Sequence, residues 1–490
     1  MIANEKRRER RTLFLIVGLS LLVALAAIGT RGLYETTEGR FAEVAREMLE
    51  TGNVIEPQLA YQPHFDKPPL SYWAMAGGMA LLGVNEAGAR AGNGLAFALA
   101  ALVVVGIGTR LWDRRTGLVA GLVYATSALP AIGGGSLASD GFVTLFELLT
   151  MLAYVSAVRS EDRKRERRYV VLTWLALGLA FLAKGTAGLL PLAPILGYDL
   201  VSRRPFRMVS PVGIAAFLLV GLGWYALVFA RNDGAFDFMI DQQITGRLFR
   251  DHYNRNPQWY KPFTMYLPLV LFGCGPWIWF GARAAWVRRH ALRARSLLQA
   301  SPAALLALWI VPPLVVFSLA RSRLPLYVLP LCAPMALLLA RALVSLSREG
   351  ALRRAATVAV PTAALLSAGL LASSWIEHPN DMRALAGFVR AEAPSARVYA
   401  FDEEYLHGLR FYLRGALTRL AETDEPWTDQ PIDAALSEIA TAREPAAIVV
   451  SPRHADALRT RLEARGLHAR ESVRPGWTLF VTEPGTIAAQ

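Results

Sequence analysis

Cysteine, charge and metal-ligand spacings are what this sequence has least of. Cys274 and Cys332 are the only two cysteines in 490 residues, and both fall inside apolar runs, so no disulfide framework can be built. No HxxxH or CxxC pair occurs, so no metal site is expected, and no cofactor is implied. Charged residues make up only 19% of the chain against 54% hydrophobic ones, too apolar a balance for a soluble globular protein of this length. A cleavable leader is not expected either. The stretch after the first apolar run is acidic and helical and lacks a small-residue cleavage site.

Long apolar runs fill the space that charge leaves. Eleven stretches approach the roughly 20 residues that cross a bilayer: 12–30, 87–109, 116–134, 141–158, 169–183, 186–201, 208–230, 262–282, 302–319, 324–340 and 355–374. The formal net charge of +13 would suit nucleic acid if it were clustered on one soluble surface. Instead, half of the 52 Lys and Arg residues lie on alternate inter-span segments: 6–11, 110–115, 159–168, 202–207, 283–295 and 341–354. That is the positive-inside pattern, which predicts a cytoplasmic N-terminus, contact with membrane lipids and no nucleic-acid role.

The same alternation sends the longer loops to the outer face, and the unusual polar residues collect there: Glu35, Glu38, Arg40, Asp66, Lys67, Asp140, Lys184, His252 and Arg323. Within TEGRFAEVAREMLETGN, Phe41, Val44, Ala45, Met48 and Leu49 repeat at helical spacing with charges on the other face. This predicts an amphipathic helix with Thr37 as N-cap and Gly52 as its stop, lying flat on the outer membrane surface. The pattern also suits a loop helix that merely covers span ends.

Downstream, HFDKPPLSYW cannot be helical across its prolines, because Pro63, Pro68 and Pro69 fix their own backbone angles and push the preceding residues toward extended ones. Its aromatic rings suit headgroup depth, which would place the Lys67 ammonium where a phosphate lies and Asp66 where an acid can polarise a ligand. Simple snorkelling of Lys67 to lipid headgroups is the plainer alternative. Asp140, after a glycine-rich bend, can cap its own helix or face a cavity as a functional group. Lys184, beside Gly185, ends an outer span in the same way.

Taken in order, TEGRFAEVAREMLETGN, FDKPPLSYW, Asp140, FLAKGTAGLLP, the His252 loop before QWYKPFTMYLP, and SRLPLYVLPL resemble the bacterial lipid-linked-sugar glycosyltransferases of the GT-C group. That group includes the aminoarabinose transferases that modify lipid A and, more distantly, the protein O-mannosyltransferases. The resemblance implies a polytopic helical membrane enzyme. It would take one sugar from a polyprenyl-phosphate donor to a lipid A, glycan or protein acceptor at the outer face, with inversion. It further implies that Lys67, Arg40, Lys184 and Arg323 meet the donor phosphate, that Glu38, Asp66 and Asp140 are catalytic, and that Glu35 and His252 are accessory. Relatives commonly carry Asp-Glu where this chain has Thr37-Glu38, so either Glu38 or Glu35 must supply the first-loop carboxylate, or the chemistry leans on Asp140.

Residues 1–375 are expected to form the membrane domain, with 31–86 as its first outer loop. The last 115 residues alternate strand-like and helix-like stretches, RVYAFD, IDAALSEIATA, AAIVVSP, RHADALRTRLEARG and WTLFVTE, and predict a small α/β domain over 376–490 outside the cytoplasm. The rival class is a transporter or flippase. Such proteins tend to show repeated halves and ionisable groups near the membrane midplane, and here the ionisable residues gather at one edge.

Overall fold

The computed structural model describes residues 2–241, 255–287, 300–401, 406–422 and 429–482. The chain divides into two compact units, one of Met1–Ile28, Phe65–Ala74 and Arg90–Leu371, the other of Gly29–His64, Met75–Ala89 and Ala372–Gln490.

The first unit is helical. Among the described residues, eight helices are long and apolar enough to cross a membrane, and a ninth span is made by Arg114–Ala125 and Ala128–Gly135 across a 58° bend. Pro130 explains that bend, because its ring excludes the helical hydrogen bond to the carbonyl of Thr126. The hydroxyls of Thr126 and Ser127 turn back onto the carbonyls of Leu122 and Val123 at 2.7 and 2.6 Å.

The other two expected spans are not continuous helices. The run 186–201 is divided by Pro191: a 3-10 turn, Gly185–Leu189, extends the preceding helix, and a ten-residue helix, Leu192–Val201, follows. The run 262–282 is divided at Gly275-Pro276 into helical pieces ending at Phe272 and restarting at Ile278. Hydropathy finds both runs because breaks of a few residues leave the window average unchanged.

The second unit is built on a six-stranded sheet. Strands Gln430–Pro431, Thr418–Ala421, Arg397–Phe401 and Ala446–Val450 lie side by side in parallel, and Trp477–Thr482 and Ala469–Arg474 complete the sheet antiparallel. Alternation along the strands makes two cores. Phe401, Ile448, Val450 and Phe480 pack against helices Ile432–Thr441 and Ala455–Glu463, while Ala400, Val449 and Leu479 pack against Met382–Glu392 and His407–Tyr412.

The first-loop helix belongs to this unit. It runs from Thr37 to Thr51, with Thr36 at the N-cap and Gly52 closing it in the left-handed region at φ 71°. It does not lie flat on a membrane with an open polar face. Glu43 and Glu47 are 0% exposed and Arg46 is 5% exposed, so the middle of the charged side is buried, and only its end at Glu50 is exposed. Backbone pairing ties its leading segment to the C-terminal region, with Glu35 N–H donating to Asn380 at 3.0 Å and Met382 N–H to Leu33 at 3.0 Å. Gly39 allows the approach, since a Cβ there would stand 2.5 Å from the backbone nitrogen of Gly408.

Candidate active site

In the first unit, the segment after the prolines is fixed from both ends. Phe65 meets Trp224 edge-on at 6.5 Å between ring centroids, and the Ser71 hydroxyl donates to the carbonyl of Ala183 at 3.4 Å. Residues 62–69 are non-helical as expected, and a helix starts at Leu70. Ala183 is the neighbour of Lys184, so this anchoring brings FDKPP to the end of helix Arg163–Lys184. That helix stops because Gly185 takes φ 64°, ψ −137°, a conformation essentially closed to other residues.

Between the two lies a cavity of about 350 Å³. Phe181, Leu190, Val316 and Phe317 make apolar walls, and Asp66, Lys67, Lys184, Thr186, Ser322 and Tyr327 supply the polar lining. Lys67 is only 8% exposed, and its ammonium donates to the carbonyl of Asp66 at 2.8 Å. Lys184 bonds the carboxylate of Asp140 at 2.5 Å and stands 4.6 Å from the centroid of the Tyr327 ring, a cation–π contact. An ammonium has three N–H donors, and one of those on Lys184 goes to Asp140.

Asp140 is the first residue of its helix, where the macrodipole favours a carboxylate. Its bond to Lys184 replaces the self-capping alternative. Two turns along the same helix, Glu147 is 2% exposed and lines a second, much smaller cavity that shares Leu190 and Phe317 with the first. Glu147, Tyr327 and Thr186 are not among the candidates that the sequence singles out. Only Glu147 had a signal, as a carboxylate inside an apolar run.

Arg323 is placed differently from the lysines. Its guanidinium donates to the carbonyls of Asn256, Gln258 and Ser318 at 2.9, 3.0 and 2.9 Å, and its backbone is held by Arg255 and Asn256. At 5% exposure it clamps the turn at 255–258. His252 lies outside the described residues.

The first-loop candidates sit in the second unit. Glu38 takes a two-pronged ion pair from Arg31 at 2.5 and 2.8 Å and accepts the Tyr34 N–H at 3.2 Å. Glu35 accepts the Gly408 N–H at 2.7 Å, while its other oxygen is buried without a hydrogen bond. Burial pushes the Glu35 carboxyl well above the usual carboxylate range, despite the bond from Gly408 and the nearby Arg40. Arg40 itself lies 5.9 Å from the Phe41 ring centroid. Thr37 is exposed at the helix start.

Three kinds of likeness bear on this arrangement. Residues 66–225 match the family model described as dolichyl-phosphate-mannose-protein mannosyltransferase. An undecaprenyl phosphate-alpha-4-amino-4-deoxy-L-arabinose arabinosyl transferase of Pseudomonas savastanoi pv. phaseolicola is 31% identical over 370 residues, covering 74% of this chain and 67% of the relative. This chain belongs to the aminoarabinose transferase family. The enzyme of the same name from Pseudomonas paraeruginosa is 34% identical over 372 residues, 74% of this chain and 64% of that one. The chain matches less than two thirds of the length of that relative, and 61% of one from Pseudomonas aeruginosa.

In structure, ArnT from Cupriavidus metallidurans bound to undecaprenyl phosphate superposes with a TM-score of 0.81 over 96% of this chain and 97% of that one, at 22% identity. The Archaeoglobus fulgidus oligosaccharyltransferase gives 0.55 over 96% and 74%, at 12% identity. Both likenesses are of fold, the polytopic GT-C fold with its C-terminal sheet. The protein is a multi-pass protein of the bacterial inner membrane.

Proposed function

We propose that the protein transfers a single sugar from a polyprenyl-phosphate carrier to an acceptor hydroxyl at the outer face of the membrane. Undecaprenyl phosphate-linked aminoarabinose is the first donor to test and lipid A the first acceptor. The observation that carries this reading is one cavity with two lysines on apolar walls, Lys67 buried and Lys184 partly buried. A prenyl phosphate needs both halves: apolar side chains beside its chain and fixed cations at its phosphate.

In the proposed reaction, the acceptor oxygen attacks the anomeric carbon from the face opposite the phosphate. The C1–O bond to phosphate breaks with inversion, and the electron pair leaves on the phosphate. Lys67 and Lys184 stabilise the charge that gathers there. Asp66, in the cavity lining, takes the proton from the attacking hydroxyl. Asp140 acts through Lys184 as a positioning residue, setting its ammonium at 2.5 Å. Arg323 shapes the 255–258 turn, and Glu38, Glu35 and Arg40 order the first loop. Glu38 is the second candidate for the base. The positive-inside pattern supports a cytoplasmic N-terminus and an outer location for residues 376–490, with 1–375 as the membrane domain.

The test is transfer by purified protein from labelled undecaprenyl phosphate-aminoarabinose to lipid A, read by mass spectrometry, with the carrier pools of a deletion strain measured in parallel. A product that disappears with the gene and returns with purified protein supports the reading. Full turnover by Lys67→Ala and Lys184→Ala variants would remove the cavity from the mechanism.

A further inference from the structure

Helix Arg163–Lys184 carries the candidate site at its last residue, and a second cavity borders its first turns. At 1.5 Å per residue the two ends are about 30 Å apart, the thickness of a hydrocarbon core, so the second cavity lies at the opposite membrane face. It is an open groove of about 1470 Å³ between this helix and the start of helix Pro211–Phe217.

Five cations border the groove, Arg163, Lys164, Arg167, Arg168 and Arg207, against the two acids Asp162 and Glu166. Arg163 and Arg167, like Lys164 and Arg168, stand four residues apart on one helix, where like charges repel. All four are exposed, and among the described residues no ion pair is made by their side chains.

The floor of the groove is built and rigid. Arg207, with a side chain 8% exposed, bonds Asp199 at 2.6 Å and lies 3.4 Å from Glu166, while Tyr154 donates to the same Asp199 at 2.7 Å. Trp174 fixes the adjoining loop through the carbonyl of Met208 at 2.9 Å. Below the cations the lining turns apolar, and it is open to the surroundings: Leu172 is 46%, Val209 66% and Val212 69% exposed.

We propose that this groove binds the headgroup of an anionic phospholipid in the leaflet opposite the candidate active site. Its phosphodiester sits among Arg163, Lys164, Arg167 and Arg168, and its acyl chains run along Leu172 and Val212. The charge surplus calls for an anion, and the apolar strip directly below it calls for one that carries a hydrocarbon tail.

The test compares full-length protein in nanodiscs of phosphatidylglycerol or phosphatidylcholine, followed by native mass spectrometry of retained lipid. Wild type is expected to retain phosphatidylglycerol over phosphatidylcholine, and the Arg163→Gln/Arg167→Gln/Arg168→Gln variant to lose roughly tenfold or more of that preference. Arg353→Gln/Arg354→Gln, in the exposed start of another helix, should keep it. Should the triple variant fail to fold, as judged by its melting in phosphatidylcholine, single Arg167→Gln and Arg168→Gln variants should show graded losses. Equal retention of the two lipids, no loss in any groove variant, equal loss in the Arg353/Arg354 control, or full displacement by millimolar inorganic phosphate would overturn the proposal. Sugar transfer is not part of the readout, so its outcome is independent of the proposed activity.

Discussion

Two groups of ionisable side chains in this protein are used in different ways. Along helix Thr37–Thr51, four charges are tied together within the segment: Arg46 holds Glu43 in a two-pronged pair at 2.7 and 2.9 Å and Glu50 at 2.5 Å, with Tyr61 bridging to Glu50 at 2.8 Å, and Arg46 also lies 4.0 Å from Glu47. The backbone N–H of Tyr61 closes the set on Glu47 at 2.8 Å. In the cavity at the end of helix Arg163–Lys184, by contrast, lysine ammonium groups face apolar walls and an open volume. A charge network closed within one segment holds a fold together, and a paired charge that also borders an open volume can reach a ligand there. The difference separates a structural network from a site although both segments are rich in ionisable residues.

Four substitutions test that division, taken from the largest effect down. Lys67→Ala should lower sugar transfer about 10³-fold, as expected for removing a fixed cation from a developing charge, while leaving expression and melting intact. Activity within a few-fold of wild type would break the comparison on the cavity side. Arg46→Met should do the opposite, costing about 3 kcal/mol or more of stability because Glu43 is left charged in a fully buried place. Its readout is the melting of the second unit, and a variant as stable as wild type would mean the network is ornamental.

The third concerns Glu47, whose carboxyl is pushed up to about 7 by burial first and by neighbouring Glu43 second. The folded protein holds this proton more tightly than the unfolded chain, whose acid titrates near its ordinary 4.5. Its contribution is therefore fully present below about pH 4.5 and is lost as pH rises through 7. Glu47→Gln should lose less stability than wild type between pH 5 and pH 8, by at most about 3 kcal/mol. His407, held well below its ordinary range by burial and nearby cations, acts in the other direction and is common to both proteins. Parallel pH profiles would contradict the assignment.

The smallest effect is expected of Asp140→Asn, which keeps a hydrogen-bond partner for Lys184 but removes the countercharge. Turnover should fall about tenfold with donor affinity less affected, since a misplaced ammonium matters most when the phosphate gathers charge. Equal effects on both would make Asp140 a purely structural group.

Much of this was legible in the sequence, for identifiable reasons. Hydropathy finds apolar spans because their length is set by the bilayer, and the short, nearly unbroken apolar runs in AAIVVSP and WTLFVTE mark strands buried on both faces. The FDKPP turn is legible because proline geometry is local. What covers the charged face of helix Thr37–Thr51 is not, because the partner helix, His407–Tyr412, lies more than 350 residues away in the chain and carries no complementary pattern of its own. The roles of Arg323 and Asp140 were hidden for a related reason. A cation that clamps carbonyls and one that awaits a phosphate are the same letter in sequence, and only their hydrogen-bond partners distinguish them.

The donor phosphate is proposed to sit between Lys67 and Lys184. The most direct measurement is a cryo-EM structure of the full-length protein with undecaprenyl phosphate. Phosphate oxygens are expected within about 3 Å of both ammonium groups and a prenyl chain along Phe181 and Phe317. Density for the phosphate elsewhere, with the cavity bordered by Lys67 and Lys184 left empty, would contradict it.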